Sequence, residues 1–197
     1  MSFSESITGV ILAGGRGTRM GGQDKGLIPL LGKPLYQHII NRLESQVEQI
    51  IINANRNQEC YRQSQLTVFS DINNDFSGPL AGMQAALHQA KTDWLLFVPC
   101  DVPDFPTDLA AKMFAEKEDN LACYACDNER EHPTFALLHR SLQKQLDSYL
   151  ARGDRKLMLF MQEVEAKKIL FSSETGSFAN LNTPEDSRHW ELQQKQL

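Results

Sequence analysis

The stretch Leu12–Gly26, LAGGRGTRMGGQDKG, has the residue types of a loop that binds phosphate and takes part in its chemistry. It contains six glycines and four charged residues. Glycine lets backbone N–H groups approach anionic oxygens, because no Cβ stands in the way. Arg16, Arg19 and Lys25 add full positive charges, which favour a reaction that brings two anions together. We therefore expect this stretch to bind phosphate and to support a reaction between two anions.

Two common phosphate-binding patterns do not describe this loop. The Walker A pattern requires Gly-Lys followed by Ser or Thr, whereas Lys25 lies between Asp24 and Gly26. The dinucleotide fingerprint G-x-G-x-x-G would begin at Gly15, but it meets Met20 where Gly or Ala is needed. The loop is also longer and more basic than either pattern. It therefore predicts neither a P-loop GTPase nor a dinucleotide-binding site.

Asp101 is the second candidate for chemistry, because it follows Trp94–Val98, the most apolar run in the chain. A carboxylate at the end of a buried strand, held between Pro99 and Pro103, is a suitable ligand for a hard cation such as Mg²⁺. The alternative is an aspartate that only forms a turn before a proline. Opposite a triphosphate-type loop, the metal ligand is the favoured interpretation.

Apolar runs typical of strands alternate along the chain with segments of helical periodicity. The predicted strands are Ile7–Ala13, Gln49–Asn53, Leu66–Ser70, Trp94–Val98, Leu121–Cys126, Thr134–His139 and Lys167–Phe171. The predicted helices begin at about Pro34, Pro79, Thr107, Leu142, Leu157 and Thr183, the last with a capping-box signal. Such alternation indicates βαβ units. The predicted fold class is therefore α/β, three-layered and doubly wound, a mainly parallel sheet with helices on both faces.

The candidate residues all follow or end predicted strands at their C-terminal ends. Loop 14–26 follows the first strand, and Asn53, Asp71 and Asp101 belong to later ones. Ligands of parallel α/β sheets bind at this edge, so we expect these residues to line one crevice. The chain has no internal repeat and no change of composition, and its 197 residues suffice for one substantial core. We therefore predict a single domain spanning residues 1–197.

Composition limits the partners and the compartment. A net charge of −5 argues against a protein that coats nucleic acid. No segment approaches the roughly 20 apolar residues of a membrane span, and the first residues lack the pattern of a secretory signal. Cys123-Tyr-Ala-Cys126 has neither a second cysteine pair nor a nearby histidine, so it predicts strand residues rather than a zinc site. We expect a cytoplasmic protein with no nucleic-acid or membrane partner.

Several short motifs occur in order along the chain. They are Leu12–Gly15, Arg19–Gly21, Asp24–Gly26, Asn53–Arg56, Gly78–Gly82, Pro99–Pro103, His132–Pro133, Arg155–Lys156 and Asn180–Pro184. Single motifs of this kind also occur in sugar-nucleotide and cytidylyl enzymes, whereas the ordered set is specific. With this set the chain resembles the nucleotidyltransferase superfamily with a dinucleotide-binding-like fold, and more closely the molybdenum cofactor guanylyltransferase family. The similarity covers nearly the whole chain.

The resemblance implies a reaction and a set of substrates. Members of that family transfer GMP from Mg-GTP to molybdopterin that carries molybdenum, and they release pyrophosphate. The implied fold is nucleotide-diphospho-sugar-transferase-like and Rossmann-like, with a nucleotide half of about residues 1–105 and an acceptor (pterin) half of about 106–197. Further implied partners are proteins that deliver the cofactor and apo-molybdoenzymes that receive it.

The resemblance also implies roles for individual residues. Those implied in nucleotide binding are Leu12, Ala13, Gly14, Gly15, Lys25, Asn53, Asp71 and Asp101, with Asp101 also the ligand of Mg²⁺. Those implied on the pterin side are Arg19, Gly22, Gly78, Gly82, Arg155, Lys156, Asn180 and Asn182. Lys25, Asp101 and Arg19 are implied in catalysis.

Such a reaction needs charge compensation more than it needs a protein nucleophile. The acceptor phosphate is already ionised, and it attacks the α-phosphorus of GTP as pyrophosphate leaves. Two like charges about 4 Å apart repel by roughly 4 kcal/mol at an effective dielectric constant near 20. Magnesium on Asp101, together with Lys25 and nearby arginines, offsets this repulsion. We therefore expect no Ser-His-Asp or Cys-His machinery, and among the five histidines only His132 invites attention.

Some interpretations remain open. Asn180 and Asn182 lie two apart, so on a strand they face the same way and bind a pterin edge, unless Asn182 caps the last helix. Arg155 and Lys156 either contact substrate or lie on a solvated face. The alternative functions are a related nucleotidyltransferase that uses CTP or a sugar-phosphate acceptor, and a non-catalytic cofactor-binding protein.

Overall fold

Strands and helices alternate along nearly the whole chain. The structure is a computed structural model that describes residues 6–15, 22–73, 78–174 and 176–195. Its strands are β1 (Ile7–Leu12), β2 (Pro29–Leu30), β3 (Lys33–Pro34), β4 (Gln49–Asn53), β5 (Thr67–Phe69), β6 (Trp94–Pro99), β7 (Ala122–Cys126), β8 (Glu131–His139) and β9 (Lys167–Leu170). Its α-helices are α1 (Leu35–Leu43), α2 (Gln58–Arg62), α3 (Pro79–His88), α4 (Leu109–Glu116), α5 (Gln143–Ala151), α6 (Leu157–Glu163) and α7 (Pro184–Gln194).

A seven-stranded sheet forms the centre of the fold, in the order β5-β4-β1-β6-β8-β7-β9. β1 lies between β4 and β6 and is parallel to both, β5 is parallel to β4, and β9 is parallel to β7. β8 is antiparallel to both of its neighbours, β6 and β7. A short hairpin joins β7 to β8, and strands joined in this way must run in opposite directions. The predicted mainly parallel sheet is confirmed.

Helices cover both faces of the sheet. On one face, α1 and α4 bury Ile39 and Met113 in a core that includes Ile11 of β1. On the other face, α3, α5 and α6 pack in a core where Leu80 of α3 meets Val10 of β1. Val10 and Ile11 are both fully buried although successive strand residues point to opposite faces. A strand covered on both sides therefore appears in the sequence as an unbroken apolar run, and the predicted three-layer arrangement is confirmed.

Two predicted boundaries were wrong for local reasons. Thr107 does not cap α4, because the Leu109 N–H bonds to the carbonyl of Pro106 and this turn delays the helix until Leu109. β8 begins at Glu131 rather than Thr134. The early part of β8 contains Pro133, which has no N–H to donate, and the β7–β8 ladder has its irregularity opposite this part of β8.

Helix α7 begins as predicted and is tied to the edge of the molecule where β2 and β3 form a small hairpin. The Thr183 side chain accepts from the Asp186 N–H, and the Asp186 carboxylate accepts from the Thr183 N–H, which makes a capping box. Trp190 packs in a small core with Leu30, Leu35 and Leu181, and its Nε1 donates to Asp104 Oδ2 over 2.6 Å. No helix among the described residues is both long and apolar enough to cross a membrane.

Candidate active site

The C-terminal ends of four parallel strands bring the predicted residues to one edge of the sheet. β1 leads into Ala13, Gly14 and Gly15, and β4 ends at Asn53. β5 and β6 run in the same direction and are followed by Asp71 and Asp101. The Ala13 N–H donates to the Asn53 carbonyl over 2.8 Å, which continues the β1–β4 ladder one residue into the loop. The strand ends that carry Ala13, Asn53, Asp71 and Asp101 therefore lie at one edge of the sheet.

Lys25 and Asp101 form an ion pair at this edge. Lys25 Nζ lies 3.0 Å from Asp101 Oδ2, and the Asp101 residue is only 8% exposed. Asn180 Nδ2 donates to the same carboxylate oxygen over 3.2 Å, and Lys25 Nζ donates to Asn182 Oδ1 over 2.8 Å. The Leu181 N–H bonds to the Asp101 carbonyl, which fixes the segment that carries both asparagines. We refer to Lys25, Asp101, Asn180 and Asn182 as the charged cluster.

The two asparagines converge although they lie in an irregular segment rather than on a strand. Thr183, not Asn182, supplies the side-chain cap of α7, so the side chain of Asn182 is used at the charged cluster. The backbone N–H of Asn182 instead bonds to Asp186 Oδ2 over 2.9 Å. The capping box thus orients Asn182, whose side-chain amide oxygen accepts the hydrogen bond from Lys25 Nζ.

A second polar group lies at the ends of β4 and β5. Asp71 accepts from Asn53 Nδ2 and from Asn55 Nδ2, each over 2.9 Å, and its own N–H donates to Asn55 Oδ1. Asn53 and Asp71 are almost fully buried. Because both carboxylate oxygens are engaged by amides, Asp71 orients the two asparagines. Asn55 was not among the predicted site residues, although its spacing of two from Asn53 was a readable signal.

Two glycines are required by the position of Asn53. A Cβ on Gly14 would stand 3.0 Å from Asn53 Oδ1 and 2.9 Å from Asn55 Nδ2. A Cβ on Gly82, in the middle of α3, would overlap Asn53 Oδ1. Gly82, predicted on the pterin side, therefore contacts the polar group of β4 and β5.

Replacing Gly82 by alanine is expected to lower the thermal midpoint of unfolding by several degrees, because the new methyl group displaces Asn53 from Asp71. The cost of overpacking a buried site is about 1–3 kcal/mol. In a chain that already carries Asn53→Ala, Gly82→Ala should lower the midpoint of unfolding clearly less, since the Asn53 Oδ1 that the new methyl group would overlap is gone. Thermal unfolding of the single and double variants measures the difference. Equal losses in both backgrounds would contradict this explanation.

A cavity of about 380 Å³ opens beside these groups, which is the size of a small-molecule site. It is lined by Leu12, Gly14, Gly15, Asn53, Asp71, Gly78, Pro79, Pro99 and Thr134. Gly78, predicted on the pterin side, lies here among residues predicted to bind nucleotide, and its φ of +74° suits glycine. Thr134 was not predicted. It reaches this edge because β8 is antiparallel, so that its early residues lie where the parallel strands end.

The remaining predicted residues are less tightly connected to the site. Arg19 lies outside the described residues. Gly22 has a φ of +85°, and its carbonyl accepts from Arg56 Nη1 over 3.0 Å. Arg155 and Lys156 are exposed in the loop between α5 and α6. Arg155 donates to the carbonyls of Leu150 and Asp154, so it also closes this loop.

His132 contacts Phe178, two residues before Asn180. The imidazole is 7% exposed, its Nε2 lies 2.7 Å from Asp127 Oδ2, and its ring stacks on Phe178 with centroids 4.5 Å apart. Partial burial raises the pKa of Asp127, but hydrogen bonds from His132 and from the N–H groups of Arg130 and Glu129 outweigh it and lower the pKa to about 2.

This lowered pKa predicts an acid-dependent contribution to stability. A carboxylate whose folded pKa lies below its unfolded value of 3.8 stabilises the fold above that value, and the stabilisation is lost as the pH falls towards 2. We expect the free energy of unfolding of the wild type to exceed that of Asp127→Asn by a constant amount above about pH 5, and the difference to shrink between about pH 4 and pH 2. Urea titrations at several pH values measure it. A difference that stays constant down to pH 2 would contradict the assignment.

Comparison with known proteins places the chain in a family. A family model described as "MobA-like NTP transferase domain" matches residues 9–167. A molybdenum cofactor guanylyltransferase of Serratia proteamaculans (strain 568) is 58% identical over 95% of this chain and 95% of its own length. Another, from Yersinia pestis (strain Pestoides F), is 55% identical over 96% of this chain and 97% of its own.

A solved structure shares the fold. It is that of molybdopterin-guanine dinucleotide biosynthesis protein A from Archaeoglobus fulgidus, which superposes with a TM-score of 0.79 over 96% of this chain and 100% of its own. At 20% identity this likeness concerns the fold alone, and it agrees with the α/β class predicted from the sequence. The family match and the two close relatives carry the assignment further: the chain belongs to the molybdenum cofactor guanylyltransferases, a family of nucleotidyltransferases.

Proposed function

We propose that this chain transfers GMP from Mg-GTP to the terminal phosphate of molybdenum-loaded molybdopterin. The products are the guanine dinucleotide form of the molybdenum cofactor and pyrophosphate. The observation that carries the proposal is the charged cluster at the same edge of the sheet as the 380 Å³ cavity. A fixed cation and a carboxylate, both held by amides, provide the electrostatic positioning that phosphoryl-type transfer needs.

The nucleoside part of GTP is assigned to the cavity beside Leu12, Asn53 and Asp71. Asp71 holds the amide of Asn53 in a fixed orientation before any ligand arrives, so the Oδ1 of Asn53 is already placed for hydrogen bonding. A few fixed polar groups in a mostly apolar pocket are what determine orientation and specificity for a small ligand. Gly14 and Gly15 line the same cavity and allow the phosphates to approach the backbone.

Magnesium fits the donor set of the charged cluster. Asp101 supplies one hard carboxylate, and Asn182 supplies an amide oxygen that already faces a cation, Lys25 Nζ. The described residues contain no group of three or more His, Cys, Asp or Glu side chains that could hold a metal ion. Mg²⁺ suits such a sparse site, because it is usually held by one or two carboxylates together with substrate phosphates and water. A magnesium ion held there would neutralise negative charge on the phosphates of GTP.

Lys25 is the residue of this chain that acts most directly on the reacting phosphates. Its ammonium group is held by Asp101 and Asn182, and its side chain is about a quarter exposed. Contact with the triphosphate stabilises the charge that develops as the acceptor oxygen attacks the α-phosphorus and pyrophosphate leaves. The attacking phosphate oxygen is already ionised, so the chain needs to supply no nucleophile and no general base.

The acceptor is assigned to the side of the charged cluster formed by Asn180, Asn182, Arg155 and Lys156. These residues belong to the second half of the chain, about residues 106–197, and Arg155 and Lys156 are exposed. Two exposed basic residues there suit an anionic acceptor. We also propose a cytoplasmic location, proteins that deliver the cofactor and apo-molybdoenzymes that receive it, as the resemblance to the family implies.

A thermal-shift panel tests the choice of nucleotide. The wild type is heated with each of the four NTPs in the presence of Mg²⁺. GTP is expected to raise the midpoint of unfolding most, and a ligand at 100 times its Kd adds about 2.7 kcal/mol. Asn53→Ala serves as the control variant, since it should lose the shift with GTP. Stabilisation by CTP without stabilisation by GTP would contradict the guanylyl assignment and favour the related enzyme that uses CTP.

A further inference from the structure

The residues that lead to Lys25 are held by residues 54–62, that is, by the loop after β4 together with α2. Lys25 opens the 3-10 turn Lys25–Leu27, and Asp24 precedes it. We propose that Tyr61 of α2, assisted by Asn57, is a positioning residue for Lys25. This inference rests on the proposed function, in which Lys25 neutralises phosphate charge. Tyr61 does not touch substrate in this account, since it acts through Asp24.

Asp24 is the direct link between Tyr61 and Lys25. It is 8% exposed, its Oδ1 accepts from the Tyr61 hydroxyl, and its Oδ2 accepts from Asn57 Nδ2 over 3.2 Å. A buried carboxylate is costly unless donors compensate it. Both oxygens of Asp24 have such a donor, and both donors come from residues 54–62, the loop after β4 together with α2. Its position is therefore determined by that segment.

Gly26, on the other side of Lys25, is fixed by the same tyrosine. A Cβ at this position would overlap the Tyr61 hydroxyl oxygen and would stand 3.1 Å from Tyr61 Cε1. Gly26 is buried, and its φ is not positive. The close approach of Tyr61, rather than the backbone conformation, therefore explains why this residue is a glycine. In the motif Asp24-Lys25-Gly26, the first and the third residue are thus both fixed by Tyr61.

The two residues before Asp24 are held by the same segment. Arg56 Nη1 donates to the Gly22 carbonyl over 3.0 Å, and Arg56 Nη2 donates to the Gln23 carbonyl over 3.3 Å. Four of the five residues from 22 to 26 therefore contact Arg56, Asn57 or Tyr61. The exception is Lys25, whose side chain points instead to Asp101 and Asn182.

Tyr61 is suited to this task because it is immobile and remains a donor. Its side chain is fully buried, and its ring contacts Tyr36 with centroids 4.9 Å apart. Burial raises the pKa of the Tyr61 hydroxyl far above its ordinary value, and the nearby thiol of Cys100 and the carboxylate of Asp24 raise it further. The hydroxyl therefore stays protonated and donates to Asp24 over the whole working range of pH.

The geometry explains why a distant hydroxyl matters for Lys25. The lysine side chain has four rotatable bonds, so its ammonium group is only as well placed as the backbone that carries it. Asp24 and Gly26 set that backbone from both sides. A displacement of the order of 1 Å at a reacting group can cost a hundredfold in rate.

A double-mutant cycle tests the proposal. Tyr61→Phe keeps the ring and removes the hydroxyl, and it is combined with Lys25→Met. We expect Tyr61→Phe to raise the Kd for Mg-GTP about tenfold in the wild-type background, as for loss of one hydrogen bond to a charged group. In the Lys25→Met background the same change should have less than about a twofold effect, because its target is gone. An equal effect in both backgrounds would overturn the proposal.

Tyr36→Phe is the matched control. Tyr36 is an equally buried neighbour, but its hydroxyl donates to the carbonyl of Cys60 and not to Asp24. We expect it to change the Kd for Mg-GTP less than about twofold, since it leaves Asp24 with both donors. A loss of affinity equal to that of Tyr61→Phe would indicate a general packing effect and would overturn the specific role of Tyr61.

Two further variants cover the case in which Tyr61→Phe does not fold. Asn57 has a φ of +51°, so Asn57→Gly removes the second donor to Asp24 without straining the backbone. It should weaken Mg-GTP binding only where Lys25 is present. Gly26→Ala should weaken binding more than Tyr61→Phe does, and Tyr61→Phe should restore part of that loss when the two are combined. Absence of both effects would overturn the proposal.

A crystal structure of Tyr61→Phe separates this inference from the proposed function. Lys25 Nζ lies 3.0 Å from Asp101 Oδ2 in the wild type. We expect the pair to be broken in the variant, whether or not the wild type transfers GMP. An unchanged ion pair would overturn the positioning role. A wild type that binds no Mg-GTP, with the pair broken in the variant, would instead contradict the proposed function alone.

Discussion

Replacing Asp101 by asparagine is expected to lower kcat/KM for GMP transfer by about a thousandfold or more while the chain stays folded. The amide keeps the size of the side chain but lacks the charge that Mg²⁺ needs, and removal of a central electrostatic group in an active site costs on the order of 10²–10³ or more. It also leaves Lys25 without its ion-pair partner. Pyrophosphate release measures the rate, and circular dichroism checks the fold.

The other end of β6 offers a matched control for this change. Asp93 directly precedes β6, more than half exposed, and pairs with Arg140 on the surface. Exposed ion pairs contribute little, so Asp93→Asn should leave kcat/KM within about twofold of the wild type. Asp101→Ala should behave like Asp101→Asn. Transfer by either Asp101 variant at the wild-type rate would contradict the role of Asp101 as the magnesium ligand.

Replacing Lys25 by methionine is expected to lower kcat/KM by about a hundredfold or more. Methionine retains an unbranched side chain but carries no charge, so the repulsion between the two substrates is no longer offset at this point. If Lys25 acts mainly in the transition state, most of the loss falls on kcat rather than on KM. Steady-state kinetics with varied Mg-GTP measures the division between the two constants.

Lys33 serves as the control for the loss of a positive charge. It lies exposed in the β2–β3 hairpin, only eight positions further along the chain. Lys33→Met should leave the kinetics within about twofold of the wild type, because screened surface charge has a small effect. Equal losses for Lys25→Met and Lys33→Met would show that the overall basic charge of the region matters rather than the position of Lys25.

Local chemistry predicted Lys25 and Asp101 of the charged cluster, whereas the resemblance to the family implied Asn180 and Asn182. Asp101 follows an apolar strand, and Lys25 lies in a loop that follows another, so the rule for parallel sheets places both at one edge. Asn180 and Asn182 were expected to face the same way. They do converge, although the physical reason is an irregular segment fixed between Asp101 and the capping box of α7.

What the sequence could not indicate depends on contacts between distant segments. Tyr61 is one aromatic residue among many until the fold places its hydroxyl on Asp24, 37 positions earlier. Gly82 is predicted on the pterin side, and only the fold shows that this glycine makes room for Asn53. Thr134 lines the same cavity as Gly78 because β8 is antiparallel to β6, so that its early residues lie where the parallel strands end. The division of the chain into a nucleotide half and an acceptor half stays a prediction.

The central claim is tested most directly by the reaction itself. The purified chain is incubated with Mg-GTP and molybdenum-loaded molybdopterin, and pyrophosphate and the dinucleotide product are followed together. We predict that GTP yields one pyrophosphate for each guanine dinucleotide formed, and that Asp101→Asn yields neither. Formation of a cytosine dinucleotide from CTP in preference to the guanine form, or no product from any nucleotide, would contradict the account.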